Sequence, residues 1–320
     1  MFKIVDREKL KYDLLHMDFL SQEEQKKIET KKYDISLVDE SLELNPENIK
    51  PILVSVDSTS SLWKEWKAIE ENVSSFAFRR SPGRNCYFLI KNEYDGKNLG
   101  IIDVAADFLA LGERDKYIGW NVEQRKKYNR NIANISVCVP TRHFGYNLSG
   151  GKLLALLASS DEVGEHWKNK YGDSLAGLTV TSLYGKGSQY NRLQGFKYLG
   201  KTKGQGTCQV DDELYKLCRL VVEEEEGKIL GGRFTKGKNS RINIIRKACK
   251  YIDLDAKLIT THGRQRGVFW CDRGINTKGF LSEIDDEFIT KDLSKEILLE
   301  YWKETWAYRR LKNLNIHIEN

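Results

Sequence analysis

The stretch NIANISVCVPTRHFGYNLSGG, residues 131–151, joins an apolar segment to a glycine-containing connection. Residues 131–140 predict a β-strand. Gly145, Gly150 and Gly151 follow, and the run KLLALL after them predicts a helix. A strand, a glycine-containing loop and a helix form an arrangement that binds phosphate, because the loop amides and the helix dipole face the anion. We expect a phosphate contact here, although ordinary connecting loops take the same form.

The neighbouring segments predict further strands and helices. Residues 62–72 carry apolar side chains at helical spacing, and residues 86–106 have the pattern of a β-hairpin around an Asp-Gly turn. In GSQYNRLQGFKYLG (187–200), we expect a short helix over Gln189–Gln194, which Gly195 ends, and a strand over Phe196–Gly200. Other strands are predicted at 52–56, 178–184 and 268–272. Together these segments predict an α/β (α+β) fold, a mixed sheet flanked by helices.

The chain divides into three parts by pattern. Residues 1–80 form a lead-in of helices and one strand, with QEEQKKIETKK (22–32) as an exposed helix. Residues 81–206 hold the strand-rich core, and residues 207–320 form a basic, mainly helical extension. In that extension we expect helices near 210–225 and 241–252 and a final helix in SKEILLEYWKETWAYRRLKN.

Composition excludes several classes of protein. The 320 residues are 40% hydrophobic and 31% charged, as in ordinary globular proteins, and no stretch is apolar enough to span a membrane. The first residues lack the pattern of a signal peptide, so we expect a cytoplasmic protein. Six cysteines without a CxxC pair and five histidines without HxxxH spacing give no reason to expect a metal site.

Positive charge is concentrated in one part of the sequence. The net charge is only +6, but residues 233–266 are densely basic, while residues 223–227 read EEEEG. We expect this basic stretch to contact the phosphates of nucleic acid, most plausibly DNA, and a solvated lysine-rich surface is the alternative. The candidate contact residues are Arg241, Arg246, Lys247, Lys250, Arg264 and Arg266.

The order of elements from residue 131 to residue 200 resembles that of the GNAT acyltransferases. In that family, two parallel strands separate and acyl-CoA lies between them, with its pyrophosphate on the loop amides. The resemblance implies acetyl-CoA or another acyl-CoA as cofactor, and no metal. The residues that would bind the cofactor are Arg142, Gly145, Asn147, Gly150 and Gly151.

More specific similarities involve the segments LGIIDVAADFLALGERDKYIGW (99–120), KYG (170–172) and the block 182–200. These segments resemble the family of the Druantia anti-phage protein DruA. The block 179–199 is also similar to the phage DNA-modification protein Mom, which has a GNAT-like fold and modifies adenine. The resemblance to the DruA family covers about residues 80–206, and the similarity to Mom is short.

The resemblances also imply catalytic candidates. Tyr190 matches a tyrosine that acts as general acid, and Asn134 and Asp115 are the other catalytic candidates. Either Asn191 or Arg192 would take the place of an arginine in Mom. A carboxylate that those relatives carry after the second strand would come here from Asp103, Asp107 or Asp115, or the chemistry differs. Arg114 and Asp115 could equally form a structural ion pair.

The function that these observations favour is modification of nucleic acid in a phage or mobile element, by acyl-type transfer from a CoA-type donor to a base amine. The alternative from another class is a non-catalytic nucleic-acid-binding protein of a defence or counter-defence system. A third possibility is an acyltransferase that acts on a protein or a small amine. The sequence does not decide among them.

Overall fold

The predicted strands form one seven-stranded mixed sheet in a computed structural model of the chain, which describes residues 4–17, 30–76, 83–204, 210–231, 240–260 and 265–316. The strands are β1 (Pro51–Val56), β2 (Asn85–Asn92), β3 (Asn98–Ala106), β4 (Ile132–Pro140), β5 (Gly177–Ser182), β6 (Phe196–Lys201) and β7 (Gly267–Asp272). Their order across the sheet is β1-β2-β3-β4-β5-β7-β6. The predicted strands are confirmed apart from small shifts at their ends, and the α+β fold class is confirmed.

The two central strands are parallel and pair over a short distance. β4 pairs with β5 from Ile132 to Asn134, opposite Gly177 to Thr179, while all other strand pairs are antiparallel. β4 continues to Pro140 and β5 to Ser182 without further pairing between them. The middle of the sheet is therefore where two neighbouring strands part.

Some helices pack on the two faces of the sheet, and others form a group with a core of its own. They are α1 (Arg7–Leu15), α2 (Trp63–Val73), α3 (Gly112–Ile118), α4 (Val122–Tyr128), α5 (Arg142–Leu148), α6 (Gly150–Leu157), α7 (Asp161–Tyr171), α8 (Asp212–Glu226), α9 (Ser240–Tyr251), α10 (Ala256–Thr260), α11 (Thr277–Leu281), α12 (Lys295–Trp302) and α13 (Tyr308–Asn313). A π-helical turn, Lys303–Ala307, joins the last two.

Two apolar layers sandwich the sheet. On one face, α5, α6, α7 and α12 contribute to the main core, in which Phe144, Trp167 and Trp302 are fully buried. On the other face, α2 packs through Trp66 and Ile69, whose spacing places them on one side of the helix. We call this second side of the sheet the α2 face.

The chain forms two compact units. The helical unit contains residues 1–27 and 202–266, and the sheet unit contains residues 28–201 and 267–320. In the helical unit, α1, α8, α9 and α10 enclose their own core, with Leu10, Leu14, Val221, Ile245 and Cys249 buried. The three-part division at residues 80 and 206 rests on sequence patterns and stays a prediction; packing groups the residues differently.

Two local predictions are wrong. Residues Gln189–Gln194 form turns and no helix, since Arg192 takes a left-handed conformation (φ 58°) and the Gln189 amide donates to the Cys138 carbonyl at 3.0 Å. Residues 141–151 are not an open loop either. They form α5 and the first turn of α6, with a left-handed Ser149 (φ 57°) between them.

Two further expectations concern the start of the chain and membranes. The helix predicted over 22–32 lies largely outside the described residues. Over the part of the chain that the structure describes, no helix has the length and apolar character needed to cross a membrane.

Candidate functional site

Polar side chains occupy the centre of the α2 face. Ala105 of β3 pairs with Asn134 of β4, which pairs with Thr179 of β5. Paired residues point to the same side of a sheet, and so does Asp103, two residues before Ala105. Asp103, Asn134 and Thr179 are therefore neighbours, and all three are buried. Polar residues at buried strand positions need a bonding or functional reason.

A β-bulge adds an exposed residue to this group. Asp103 pairs with Val137 while Val104 pairs with Ile135, so Ser136 has no partner in the ladder. Ser136 is exposed, and its hydroxyl donates a hydrogen bond to the Asp103 carboxylate. Bulges commonly redirect a side chain beside an active site. We call Asp103, Asn134, Ser136 and Thr179 the polar face.

A buried ion-pair network braces the polar face. The fully buried Arg114 donates to Asp107 at 2.7 Å and to Asp115 at 2.6 Å, and it also donates to the Phe108 carbonyl. The Thr179 hydroxyl donates to the same Asp107 carboxylate. Because every charge in the group meets an opposite charge or a dipole, the network can exist in a buried place. The expected Arg114–Asp115 ion pair is present.

Asn134 has an unused polar group. Its side chain is 6% exposed, and among the described residues its Oδ1 has no hydrogen-bond partner. A chain of contacts links it to Asp115, through Thr179, Asp107 and Arg114. The structure therefore brings two of the three catalytic candidates into one polar region.

Tyr190, the third catalytic candidate, lies in the main core on the opposite face. It is 7% exposed, and its ring lies 5.6 Å from that of Phe196 and 5.8 Å from that of Phe269. Burial raises the pKa of Tyr190 well above its usual value. The phenol therefore stays protonated, but the polar face is on the other side of the sheet. Its role as a general acid stays a prediction.

The residues expected to bind a cofactor have roles in packing. Gly145 lies against Pro140, and a side chain at Gly150 would meet the Phe144 ring at 2.3 Å. Gly151 lies against the Gln189 amide. Asn147 is half-buried in α5. These contacts explain the glycines without a ligand, and a phosphate contact stays a prediction.

Arg142, the remaining cofactor candidate, starts α5 and is bound to Glu40. Its backbone N–H donates to the Glu40 carboxylate at 3.1 Å and its guanidinium at 3.0 Å. A carboxylate at a helix N-terminus satisfies the free amides and the dipole there. The N-terminal end of α5, which could attract a phosphate, therefore already faces the Glu40 carboxylate of the same unit.

The predicted basic residues have unequal roles. Arg241 is engaged within the helical unit, bonded to Asp212 at 2.7 Å and placed over the Tyr215 ring, and Lys247 pairs with Glu226 at 2.5 Å. Arg246 and Lys250 are exposed one turn apart on α9. Arg266 is half-buried, and Arg264 lies outside the described residues.

The sequence analysis missed Ser136 and Thr179. Both interrupt apolar strands, in NIANISVCV and GLTVTS, and this interruption is a signal that could have indicated them. Within the described ranges, no group of three or more His, Cys, Asp and Glu side chains could hold a metal ion.

Comparison with known proteins agrees with one of the resemblances. A family model described as "Druantia protein DruA" matches residues 7–283. The Druantia protein DruA of Escherichia coli (strain UMEA 4076-1) is 28% identical over 291 residues, which cover 84% of this chain and 70% of that protein. No solved structure matches significantly. The relation to acyltransferases and to Mom stays a prediction. The match over most of its length shows that the chain belongs to the Druantia protein DruA family.

Proposed function

We propose that this chain is a nucleic-acid-binding protein of an anti-phage defence system, and that α9 of the helical unit contacts the phosphate backbone. Membership in the Druantia protein DruA family supports the defence role. The distribution of charge supports the binding role.

The observation that carries the proposal is the concentration of charge in the helical unit. Residues 1–27 and 202–266 contain 20 Lys and Arg against 15 Asp and Glu, a net charge of +5, out of the +6 of the whole chain. The sheet unit keeps the remaining 32 Lys and Arg against 31 Asp and Glu. A basic unit in a chain that is otherwise nearly neutral is typical of nucleic-acid-binding proteins.

The side chains on α9 give this charge a defined surface. Ile244, Ile245 and Cys249 point into the helical core, so the exposed Arg246 and Lys250 point away from it. Among the described residues, neither cation forms an ion pair with a carboxylate. Both are therefore available to neutralise phosphates and release the bound counterions.

The test is the salt dependence of binding to a labelled DNA duplex, measured by fluorescence anisotropy. We expect Arg246→Gln with Lys250→Gln to weaken binding and to reduce the slope of log K against log salt by about two, since each phosphate contact contributes about 0.9. The matched control is Lys116→Gln with Lys168→Gln, two exposed lysines of the sheet unit. Equal slopes for both double variants would refute the role of α9. The same assay with RNA distinguishes the type of nucleic acid.

A second candidate function is acyl transfer from a CoA-type donor to a base amine. One observation favours it: the parallel strands β4 and β5 part after three paired residues, which provides a gap in the sheet. In this reaction, the C–S bond of the thioester breaks, an amide C–N bond forms and the amine proton passes to the thiolate. Glu40 at the start of α5 and the burial of Tyr190 favour binding without catalysis.

Calorimetric titration with acetyl-CoA separates the two candidates. Acyl transfer requires that both the wild type and Tyr190→Phe bind acetyl-CoA saturably. It also requires that the variant then modifies DNA more slowly than the wild type does. The first proposal expects no acetyl-CoA binding, together with salt-dependent binding of DNA.

A further inference from the structure

Three segments that carry hydrogen-bond donors come together in the sheet unit, at a place that the predicted functions do not use. Lys152 lies in the first turn of α6, Arg192 in the turn before β6, and Trp306 in the π-helical turn. The Lys152 Nζ lies 4.1 Å from the centre of a Trp306 ring and donates to the Asn191 carbonyl at 2.5 Å. The site is thus built from three separate parts of the chain.

These donors lack a matching negative charge. Among the described residues, no carboxylate pairs with Lys152 or Arg192, and the charged group that acts on Lys152 is Arg192 itself. The Trp306 indole N–H is buried and has no acceptor in the described part of the chain. Like charges repel each other, and a buried donor without an acceptor is unfavourable. An anion between them would relieve both costs.

The surrounding geometry fixes Lys152 and the turn that carries Arg192. Arg192 is held in a left-handed conformation, which L residues rarely adopt, while the Lys152 stem packs beside Trp306. The Tyr301 hydroxyl accepts a hydrogen bond from the backbone N–H of Gln194 at 3.3 Å, which fixes the turn against α12. The Lys152 amine and the backbone of Arg192 are therefore positioned before any ligand binds, while the Arg192 side chain itself is exposed.

We propose that Lys152, Arg192 and Trp306 form a binding site for a phosphate group, carried either by a free nucleotide or by the backbone of a nucleic acid. Lys152 and Arg192 supply the charge, and the Trp306 N–H supplies a directed hydrogen bond. The site is independent of α9, so loss of either leaves the other testable.

The state of Lys152 agrees with this site. Burial and the charge of Arg192 lower the pKa of Lys152 to about 8. A bound phosphate would bring negative charge next to the amine and raise that pKa towards its ordinary value. A purely structural lysine would show no such response.

The experiment measures calorimetric binding of inorganic pyrophosphate and of a single-stranded oligothymidylate to the full chain. We expect Lys152→Met, which keeps the packing on Trp306, and Arg192→Asn, which tolerates the left-handed conformation, to weaken binding at least tenfold. Lys168→Met removes an exposed lysine of α7 and is the matched control. Thermal unfolding of each variant establishes that it is folded.

The two probes distinguish the sources of the phosphate. Saturable pyrophosphate binding that depends on Lys152 and Arg192 indicates a free nucleotide, and a dependence confined to the oligonucleotide indicates a nucleic-acid backbone. In the wild type with ¹³C-labelled lysine, the effective probe should also raise the pKa of Lys152. The proposal is overturned if neither variant changes the binding of either probe, including the case in which neither probe binds.

Discussion

Arg114 is the residue on which the charge balance beneath the polar face depends. It is fully buried between Asp107 and Asp115, and removal of its guanidinium would leave the buried Asp107 carboxylate without its cation, whereas Asp115 keeps its ion pair with Arg125. We expect Arg114→Met to lower the free energy of unfolding by about 3–5 kcal/mol, as measured by urea denaturation. In the exposed pair Lys126–Glu123, Lys126→Met should cost less than about 1 kcal/mol. Similar losses in both variants would contradict the structural role of Arg114.

Lys152 provides a prediction of pH dependence. Burial, then the charge of Arg192, lowers its pKa from 10.5 to about 8, so the unfolded chain binds more protons than the folded chain between these values. Stability contributed by Lys152 therefore rises with pH across that window. We expect the unfolding free energy of the wild type minus that of Lys152→Met to rise from about pH 7.5 to about pH 9.5. A difference that does not change with pH would refute the lowered pKa.

At the scale of elements, the junction of α5 and α6 depends on Gly150. A Cβ there would lie 2.3 Å from the ring of Phe144, which is fully buried. We expect Gly150→Ala to cost about 1–3 kcal/mol, with partial recovery when Phe144→Leu is added, by urea denaturation.

The control for this prediction is Gly112 in the first turn of α3. A Cβ at Gly112 would meet no atom within 4 Å, and Gly112→Ala should be neutral or slightly stabilising. If Gly150→Ala leaves stability unchanged as well, Gly150 is not needed for packing. The interpretation of this glycine as part of a ligand-binding loop would then regain support.

The elements also show what could be predicted from the sequence. Strands such as Asn98–Ala106 were predictable because apolar runs bounded by turn residues have few other possible structures. The turn at 188–195 was not, since its conformation depends on a distant contact between Gln189 and the Cys138 carbonyl. The polar face was only partly predictable. The bulge at Ser136 depends on the register between β3 and β4, which the sequence does not give. Asn134 and Asp115 were candidates because of the family resemblance.

At the scale of the whole molecule, charge and core packing divide the chain in the same way. The helical unit has its own apolar core and nearly all of the net positive charge, and the sheet unit has its own cores and the polar face. Sequence patterns showed the basic stretch but did not show that residues 1–27 belong with it. That association joins segments far apart in the chain, so local periodicity carries no information about it.

This division predicts where DNA should alter hydrogen exchange. A ligand that binds the folded helical unit stabilises it by about 2.7 kcal/mol when its free concentration is 100 times Kd, and amides of α9 should then exchange more slowly. Amides of the hairpin 85–106 lie in the other unit's core and should exchange at an unchanged rate. The measurement is hydrogen exchange by mass spectrometry with and without a DNA duplex. Arg246→Gln with Lys250→Gln should reduce the protection of α9, and equal protection of the hairpin in the wild type would contradict binding confined to the helical unit.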